Sequence, residues 1–391
     1  MVPSGLTWVA IPRQLISQPG PMISIVIPTY NEAAVIQETL RRAAVALGGT
    51  GEDFELLVVD DSSADGTAEL AEAVGRELPV RVLRRPGRSG LATAVLDGWA
   101  MARGEVLGVM DADLQHPPEV LGRLVKALQE KGADLVIASR YVEGGGTSDW
   151  TLTRRAISRS ATHMAATVLP LKLASVGDPM SGMFLVRATA LAGVRLAPLG
   201  YKILLEVLGK ARYDTLVEVP YVFEEREHGS SKLGPRQYYE YLWHLGRLAV
   251  GTGQLRSWVE YGMVGLAGAL IDLIVFYGLV QGAGWRPLLA LLVAIQTALL
   301  NNFVWNENIT FRSRPAVDGQ GGILRRLLRY ERVCLPGAAI NILLTLLVLS
   351  EGAGVLLAGS CGVVAGGLYN FYFNIPAIWR TWGRRPSHRE P

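Results

Sequence analysis

Four long apolar segments near the end of the sequence restrict the possible folds more than any other feature. They cover about residues 261–281, 287–305, 333–350 and 354–375. Each is close to the roughly 20 residues that an α-helix needs to cross the hydrocarbon core of a bilayer. Because that core offers no water to backbone amides, such segments cross it as helices. The sequence therefore predicts an all-α membrane domain with four transmembrane helices, at about residues 257–380.

The charged residues between these segments predict their orientation. The connection between the first and second segments carries only Arg286, and the connection between the third and fourth carries only Glu351. The connection between the second and third segments and the tail instead carry ten arginines: Arg312, Arg314, Arg325, Arg326, Arg329, Arg332, Arg380, Arg384, Arg385 and Arg389. Positively charged loops stay on the cytoplasmic side. We therefore expect a multi-pass membrane protein whose first half and C-terminus are cytoplasmic.

The apolar half also contains an internal repeat. Tyr261, Gly268 and Asp272 match Tyr330, Gly337 and Asn341 at an offset of 69 residues, and residues 302–306 match residues 370–374 at an offset of 68. Two helix pairs of the same orientation form a parallel repeat, as in many transporter folds. We expect the polar side chains of this half to face the bundle interior, since they are costly in lipid. They are Asp272, Gln296, Asn301, Asn302 and Asn341. These side chains could form hydrogen bonds between helices or line a path for a substrate.

Apolar runs alternate with helical patterns in the first half of the chain. Residues 23–27, 54–59, 80–83, 106–110 and 135–138 have the pattern of buried strands, and segments typical of helices lie between them. This alternation predicts right-handed βαβ units and a mainly parallel sheet. Half of the whole chain is hydrophobic. Both cysteines, Cys334 and Cys361, lie in apolar segments, so neither a disulfide framework nor a zinc site is expected.

Polar clusters follow three of the predicted strands. They occupy residues 28–32, 60–61 and 111–113. Ligands of such sheets bind beyond the carboxyl ends of the strands, so the three clusters are expected on one edge. No Gly-rich phosphate loop of the G-x-G-x-x-G or G-x-x-x-x-G-K-[ST] type is present. The acidic edge instead suits a nucleotide whose base and ribose are hydrogen-bonded by carboxylates and whose pyrophosphate is neutralised by a metal ion.

The third cluster is the centre of the predicted site. Extended backbone sends alternate side chains to the same face, so Asp111, Asp113 and Gln115 can converge on one point. Three oxygen donors suit a divalent cation that bridges two phosphates. The alternative is a helix N-terminus with a solvated acidic loop. His116 lies beside Pro117 and Pro118 and is expected to pack or to cap the helix rather than to act as a base.

The stretches PTYNE, VVDDSSADGT and MDADLQHPPE resemble glycosyltransferase family 2 enzymes with the GT-A fold. The stretches SRYVEGGG, DPMSGMFLVR, GYKILLEVL and EEREHGSSKL are similar to the dolichol-phosphate mannose synthase branch, and the likeness covers about residues 22–250. The membrane half, with NFVWNENITF and the repeat, resembles the GtrA-like family, which is associated with lipid-linked sugars. The resemblance implies an α/β GT-A (Rossmann-like) catalytic domain joined to the four-helix membrane domain.

The resemblance also implies roles for individual residues. Base and ribose would be held by Pro28, Tyr30, Glu32, Val59 and Asp61, with the backbone of Ala112 contacting the nucleotide. Asp111, Asp113 and Gln115 would hold Mg²⁺ or Mn²⁺, and Arg140, Lys202 and Arg226 would face the diphosphate of the nucleotide sugar. Tyr30 could instead be a core aromatic residue, Glu32 a helix-terminal carboxylate, Asp60 a helix cap, and Lys202 or Arg226 ordinary surface charges.

Two helical stretches are expected to contact the acceptor and the bilayer. Residues 150–169 combine Trp150 and apolar positions with Arg154, Arg155 and Arg159, a pattern that suits a membrane interface or a helix packed on the sheet. Arg140 and Arg154 are candidates for an acceptor phosphate, because guanidinium groups match phosphate oxygens. Ser158, one helical turn after Arg154, could add a hydroxyl. Residues 236–250 carry three tyrosines and a tryptophan, which favour the interface.

The predicted organisation has five parts. They are a loose leader (1–21), which lacks the continuous apolar core of a signal peptide, the GT-A domain (22–235), an interface helix and linker (236–256), the GtrA-like domain (257–380) and a basic tail (381–391). The expected reaction is inverting transfer of mannose from GDP-mannose to a polyprenyl phosphate such as dolichyl phosphate. The alternatives are a glucosyltransferase that uses UDP-glucose and a lipid-sugar flippase whose first half only binds. Substrates and the lipid bilayer are the expected partners, and no nucleic-acid partner is expected.

Overall fold

The computed structural model describes residues 9–10, 20–148, 150–169, 173, 176–197, 202–224, 235–252, 254–310 and 322–371. The predicted tail, most of the leader, Arg226, and the end of the fourth apolar segment lie outside these residues. The described residues form two compact units. The first runs up to Thr162 and covers Val176–Leu248, and the second contains residues 163–173 and the chain from Ala249 onward.

The strands are β1 (Val9–Ala10), β2 (Gly20–Thr29), β3 (Asp53–Asp60), β4 (Val80–Arg84), β5 (Gly104–Val109), β6 (Leu135–Ser139), β7 (Gly146–Thr147), β8 (Phe184–Arg187), β9 (Arg195–Leu196), β10 (Leu216–Pro220) and β11 (Val222–Phe223). The α-helices are α1 (Ile36–Gly48), α2 (Thr67–Val74), α3 (Leu91–Met101), α4 (Val120–Glu130), α5 (Leu152–Val168), α6 (Ile203–Lys210), α7 (Pro235–Gly251), α8 (Gln254–Tyr277), α9 (Pro287–Trp305), α10 (Ile323–Ser350) and α11 (Val355–Tyr369).

A seven-stranded sheet forms the centre of the first unit, in the order β10-β6-β8-β5-β2-β3-β4. Strand β8 runs antiparallel to β5 and β6, and the other neighbouring pairs are parallel. The predicted mainly parallel α/β fold is therefore confirmed. The five predicted strands are present as β2 to β6, whereas the antiparallel strand β8 was not predicted.

Helices cover both faces of this sheet, which explains why its central strands are apolar throughout. On one face, Ile25 and Ile27 pack with Leu40 of α1 and Leu124 of α4 in a single buried cluster. On the other face α3 approaches so closely that a Cβ on Gly98 would lie 2.6 Å from Val26. Because β2, β3 and β5 are parallel and adjacent, their carboxyl ends lie on one edge, as predicted.

The second unit contains three helical spans that are long and apolar enough to cross a membrane. They are Val259–Gly282, Pro287–Thr310 and Ile323–Ser350, of which the first two include short π-helical turns. The fourth predicted span corresponds to the shorter apolar helix α11, whose described part ends near residue 371. Large apolar side chains such as Ile274 and Leu343 are about 70% exposed, as expected for a lipid-facing surface.

One polar residue of this unit does not lie where the sequence predicted. Asp272 and Asn341 are buried, as expected for polar side chains that face the bundle interior. Gln296 is exposed instead, and its Nε2 donates a hydrogen bond of 2.7 Å to Glu331 Oε1. The polar partner on the neighbouring helix satisfies the amide at the helix surface, so burial is not required.

Candidate active site

The acidic loop after β5 is held on both sides by hydrogen bonds. Thr39 Oγ1 of α1 donates to the Ala112 carbonyl oxygen at 2.8 Å. The Gln115 Nε2 donates to the Glu224 carbonyl oxygen at 3.3 Å, and Glu224 N–H donates to the Gln115 carbonyl oxygen at 3.0 Å. Leu114 has a φ of 58°, which turns the chain sharply between Asp113 and Gln115. The loop is therefore held in place by contacts within the protein.

Gly182 provides the space that Asp111 occupies. A Cβ at this position would lie 2.1 Å from Asp111 Oδ2, 2.8 Å from its Cγ and 2.9 Å from His116 Cε1. Those distances are far below van der Waals contact, so no larger residue fits while Asp111 keeps its position. Gly182 lies in the DPMSGMFLVR stretch, but the sequence alone predicts no role for it. The contact joins residues 71 positions apart, and no local pattern signals it.

His116 is part of the core beside the acidic loop. Its ring stacks on Tyr221 with centroids 5.2 Å apart and meets the edge of Phe223 at the same distance. Burial, together with the positive charges of Arg140 and Lys202, lowers the pKa of His116 well below its usual 6.5. The imidazole is therefore neutral at pH 7, and its Nδ1 lies 3.5 Å from Asp111 Oδ2.

Arg140 follows β6 and forms a buried ion pair with Asp178. Its Nε donates to Asp178 Oδ2 at 2.7 Å and its Nη2 to Oδ1 at 2.8 Å, and the Asp178 side chain is fully buried. The guanidinium group, which the sequence predicts to bind a phosphate, is thus bound to a carboxylate on one side. Asp178 was missed as a functional residue. Its only signal was an acidic residue inside the quoted DPMSGMFLVR stretch.

Lys202 belongs to the same electrostatic cluster. Its Nζ donates to the Met180 carbonyl oxygen at 2.7 Å. Burial, followed by repulsion from Arg140, lowers the pKa of Lys202 to about 8, and the negative charges of Asp111 and Asp178 oppose this change. The fold therefore brings Asp111 and Arg140 within electrostatic range of Lys202, although the three residues are far apart in the sequence.

The ends of β2 and β3 form a second part of the site. Pro28 and Val59 are buried neighbours on adjacent strands. The Glu32 N–H donates to Thr67 Oγ1 at 2.9 Å, which fixes the backbone at the turn before α1. The guanidinium of Arg88 lies 4.1 Å from the centre of the Tyr30 ring, a cation–π contact that the sequence analysis missed.

The two aspartates at the end of β3 organise loops. Asp60 accepts hydrogen bonds from Thr29 Oγ1 at 3.0 Å and from Ser63 Oγ at 2.6 Å. Asp61 accepts from Arg85 Nη1 at 2.8 Å and from the N–H groups of Ser89 and Gly90, each at 2.9 Å. Asp61 therefore anchors the loop that carries Arg88, and this loop borders the position predicted for the nucleotide base.

The residues predicted for the acceptor meet around one buried tryptophan. Trp150 is 9% exposed, and its ring centre lies 5.4 Å from the guanidinium of Arg140 and 4.5 Å from that of Arg154. The Trp150 ring packs edge-on against Phe223 in the core, whereas the interface role of the helix that follows stays a prediction. Ser158 Oγ is hydrogen-bonded to Tyr141 Oη at 2.8 Å. The structure thus brings Arg140, Arg154 and Ser158 to one region.

The donor set around the acidic loop fits an open cation site. Among the described residues, no three His, Cys, Asp or Glu side chains converge as they would in a closed protein metal site. Asp111, Asp113 and Gln115 offer carboxylate and amide oxygens, which are the ligands of Mg²⁺ and Mn²⁺. Such a set leaves coordination positions for phosphate oxygens and water. Arg226, the other predicted diphosphate contact, lies outside the described residues.

Comparison with known proteins identifies the family. The profile of Glycosyl transferase family 2 matches residues 24–193. A dolichol-phosphate mannosyltransferase of Pyrococcus furiosus is 38% identical over 359 residues, which are 92% of this chain and 99% of that protein. The chain belongs to glycosyl transferase family 2. A dolichol-phosphate mannosyltransferase of Saccharomyces cerevisiae is 36% identical over 238 residues, 58% of this chain and 86% of that protein. The enzyme is therefore a glycosyltransferase of the dolichol-phosphate mannosyltransferase branch, as the sequence predicted.

The second unit of the enzyme also has known relatives. The GtrA/DPMS transmembrane domain matches residues 260–379, so the enzyme is a membrane protein.

Among solved structures, the glucosyl-3-phosphoglycerate synthase of Mycobacterium tuberculosis, in complex with Mn²⁺, uridine diphosphate and glucosyl-3-phosphoglycerate, is similar at a TM-score of 0.44 and 25% identity. The likeness covers 61% of this chain and 80% of that one.

Proposed function

We propose that the enzyme transfers mannose from GDP-mannose to a polyprenyl phosphate, such as dolichyl or undecaprenyl phosphate, with inversion at the anomeric carbon. One observation carries the proposal: Asp111, at the acidic edge of the sheet, lies in electrostatic range of Lys202, which also lies in range of the buried Arg140. A nucleotide diphosphate needs both a metal site and fixed positive charge. The names of the relatives in Pyrococcus furiosus and Saccharomyces cerevisiae support the lipid acceptor and the sugar.

The metal would be Mg²⁺ or Mn²⁺, held by Asp111, Asp113 and Gln115. When bound, it neutralises charge on the diphosphate that leaves with the nucleotide. The protein contributes the rigid loop, since Thr39 and Glu224 fix it at both ends. Gly182 contributes the room that the Asp111 carboxylate needs.

The cationic side chains stabilise charge that develops during transfer. Lys202 and Arg140 face the leaving diphosphate, where preorganised donors act most strongly in a site that excludes water. Since Asp178 accepts hydrogen bonds from Nε and Nη2 of Arg140, we expect the Nη1 group to contact a phosphate. Arg226, which follows in the sequence motif, is proposed to complete this set.

The acceptor phosphate needs no strong base, because it is already an anion at neutral pH. This agrees with the neutral, core-packed state of His116. The phosphate is proposed to bind between Arg140, Arg154 and Ser158, which the structure brings around Trp150 and Tyr141. Its isoprenoid tail would remain in the bilayer.

The nucleotide is proposed to bind across the ends of β2 and β3. Tyr30, Glu32 and Asp61 would contact base and ribose, beside Pro28, Val59 and the backbone of Ala112. Arg88 would close this pocket from the side, since it already stacks on Tyr30 and belongs to the loop that Asp61 anchors. The catalytic unit and the C-terminus are proposed to be cytoplasmic, as the arginine distribution indicates.

Turnover with defined substrates tests the proposal. Purified enzyme is incubated with GDP-mannose or UDP-glucose, a polyprenyl phosphate, and Mg²⁺, Mn²⁺ or EDTA. We expect mannosyl transfer from GDP-mannose that stops in EDTA and returns with added metal. Transfer from UDP-glucose and not from GDP-mannose would show that glucose is the transferred sugar. Binding of both donors without any transfer would contradict an enzymatic role.

Two variants test the metal ligands directly. Asp113→Asn, which keeps the size of the side chain, should reduce turnover at least 100-fold while the thermal midpoint stays close to that of the wild type. Glu130→Gln is the matched control, because it removes an exposed carboxylate of α4 that pairs with Lys126 on the same helix. Full turnover of Asp113→Asn in EDTA would exclude the assigned metal site.

A further inference from the structure

The membrane unit contains a cavity of about 100 Å³ whose polar lining follows the internal repeat. Asp272 and Asn341, which match at an offset of 69, both line it. So do Asn302 and Asn370, which match at an offset of 68. Equivalent residues of two repeats can surround one cavity only near a pseudo-twofold axis. The cavity therefore lies at the centre of the repeat.

The same close approach occurs in each half of the repeat. A Cβ on Gly268 would lie 2.2 Å from Asn302 Oδ1, and a Cβ on Gly337 would lie 2.2 Å from Asn370 Oδ1. Each asparagine side chain therefore packs directly against the glycine of its own helix pair. The glycines are required because any side chain would displace the amide from the cavity wall.

The repeat is broken at one position that carries charge. Asn341 Nδ2 donates to Asp272 Oδ2 at 2.8 Å, and Thr345 Oγ1 donates to Asn341 Oδ1 at 3.2 Å. The hydroxyl of Thr345 therefore fixes the amide with its NH₂ group toward the carboxylate. The result is one negative charge, on one side of the axis, facing an amide at the equivalent position.

The other oxygen of this carboxylate has no donor in the described part of the chain. Asp272 is 5% exposed, and Oδ1 accepts no hydrogen bond from the described residues. No arginine, lysine or histidine among those residues forms an ion pair with it either. A buried carboxylate with a single hydrogen bond is costly inside a membrane unit. The cavity beside it is larger than the roughly 10–15 Å³ that one water needs.

We propose that this cavity binds a monovalent cation, Na⁺ or K⁺, through Asp272 Oδ1 and the side-chain amides of Asn302 and Asn370. All of these ligands offer oxygen, which suits alkali ions better than the transition metals that prefer nitrogen and sulfur. One carboxylate balances one positive charge, whereas a divalent ion would leave a net charge in an apolar bundle. The cavity leaves room for water in the remaining coordination positions.

Thermal unfolding of the full-length enzyme in detergent tests this site without reference to sugar transfer. Ionic strength is held constant while NaCl or KCl replaces choline chloride from 1 to 300 mM. A ligand that binds only the folded state should raise the midpoint by roughly 5 °C at concentrations far above its dissociation constant. Identical midpoints of the wild type in Na⁺, K⁺ and choline at every concentration would overturn the proposal.

Variants locate the effect in the cavity. Asp272→Asn should abolish the dependence on the cation, and the double exchange Asp272→Asn with Asn341→Asp should restore it, because the two positions are equivalent about the axis. Glu331→Gln is the control, since that carboxylate of the same unit contacts Gln296 outside the cavity. A cation response that persists in Asp272→Asn would refute the assignment. So would a wild-type midpoint that changes with pH between 5 and 8 but not with the cation.

Discussion

Replacing Gly182 by alanine is the most direct test of how the acidic site is built. The new Cβ would lie 2.1 Å from Asp111 Oδ2, whereas ordinary van der Waals contact begins at 3.4 Å. The carboxylate must therefore retreat by more than 1 Å, and His116, whose Cε1 would be 2.9 Å from the same Cβ, closes one side. A misplacement of about 1 Å in a catalytic constellation costs about 100-fold in rate. We expect turnover by Gly182→Ala to fall by about that factor.

The measurement is the initial rate of mannosyl transfer from GDP-mannose to a polyprenyl phosphate at saturating metal. Thermal unfolding should show a loss of only about 1–3 kcal/mol, the usual cost of an added methyl group. Gly48→Ala is the matched control, because a Cβ there meets no atom within 4 Å and its rate should stay within about twofold of the wild type. If Gly182→Ala turns over within about threefold of the wild type with unchanged metal affinity, Asp111 does not act from the position described.

Three further outcomes follow from the electrostatics of the first unit. Since burial lowers the pKa of Lys202 to about 8, its charge is lost as pH rises through that value, and kcat/KM should fall above pH 8 in the wild type but not in an active Lys202→Arg variant. Burial would raise the pKa of Glu206, but hydrogen bonds from His244 and Lys210 lower it to about 2. Its stabilisation is therefore complete above pH 4.5 and lost as pH falls from 4.5 to 2. At about 1.4 kcal/mol per tenfold change in proton affinity it amounts to roughly 3 kcal/mol, so urea unfolding at pH 6 and pH 3 should differ less in Glu206→Gln than in the wild type. Asp178→Asn leaves the buried Arg140 charge unpaired and should cost about 3–5 kcal/mol in urea unfolding, and an unchanged midpoint would show that solvent reaches that pair.

The sequence by itself determined the five strands β2 to β6, the polar residues at their ends and the apolar helices. Runs such as residues 23–27 are apolar at every position because both faces of a parallel sheet are covered, so they predict buried strands without any knowledge of partners. Polar residues directly after them must lie on one edge, because parallel strands end on the same side. The positions of Asp111 and Asp113 could therefore be predicted from local pattern and strand direction alone.

Only the tertiary structure decided which side chains meet at that edge. Asp178 pairs with Arg140, Gly182 makes room for Asp111, and Trp150 turns into the core, although no local pattern indicates these partners. The contacts of Asp178 and Gly182 precede strand β8, which runs antiparallel between β5 and β6 and so brings residues 176–183 beside the acidic loop. The local pattern of apolar and polar residues indicates burial and periodicity along the chain. The partner of a buried charge is selected instead by the path of the backbone, because only a side chain brought within about 3 Å can offset the cost of removing that charge from water.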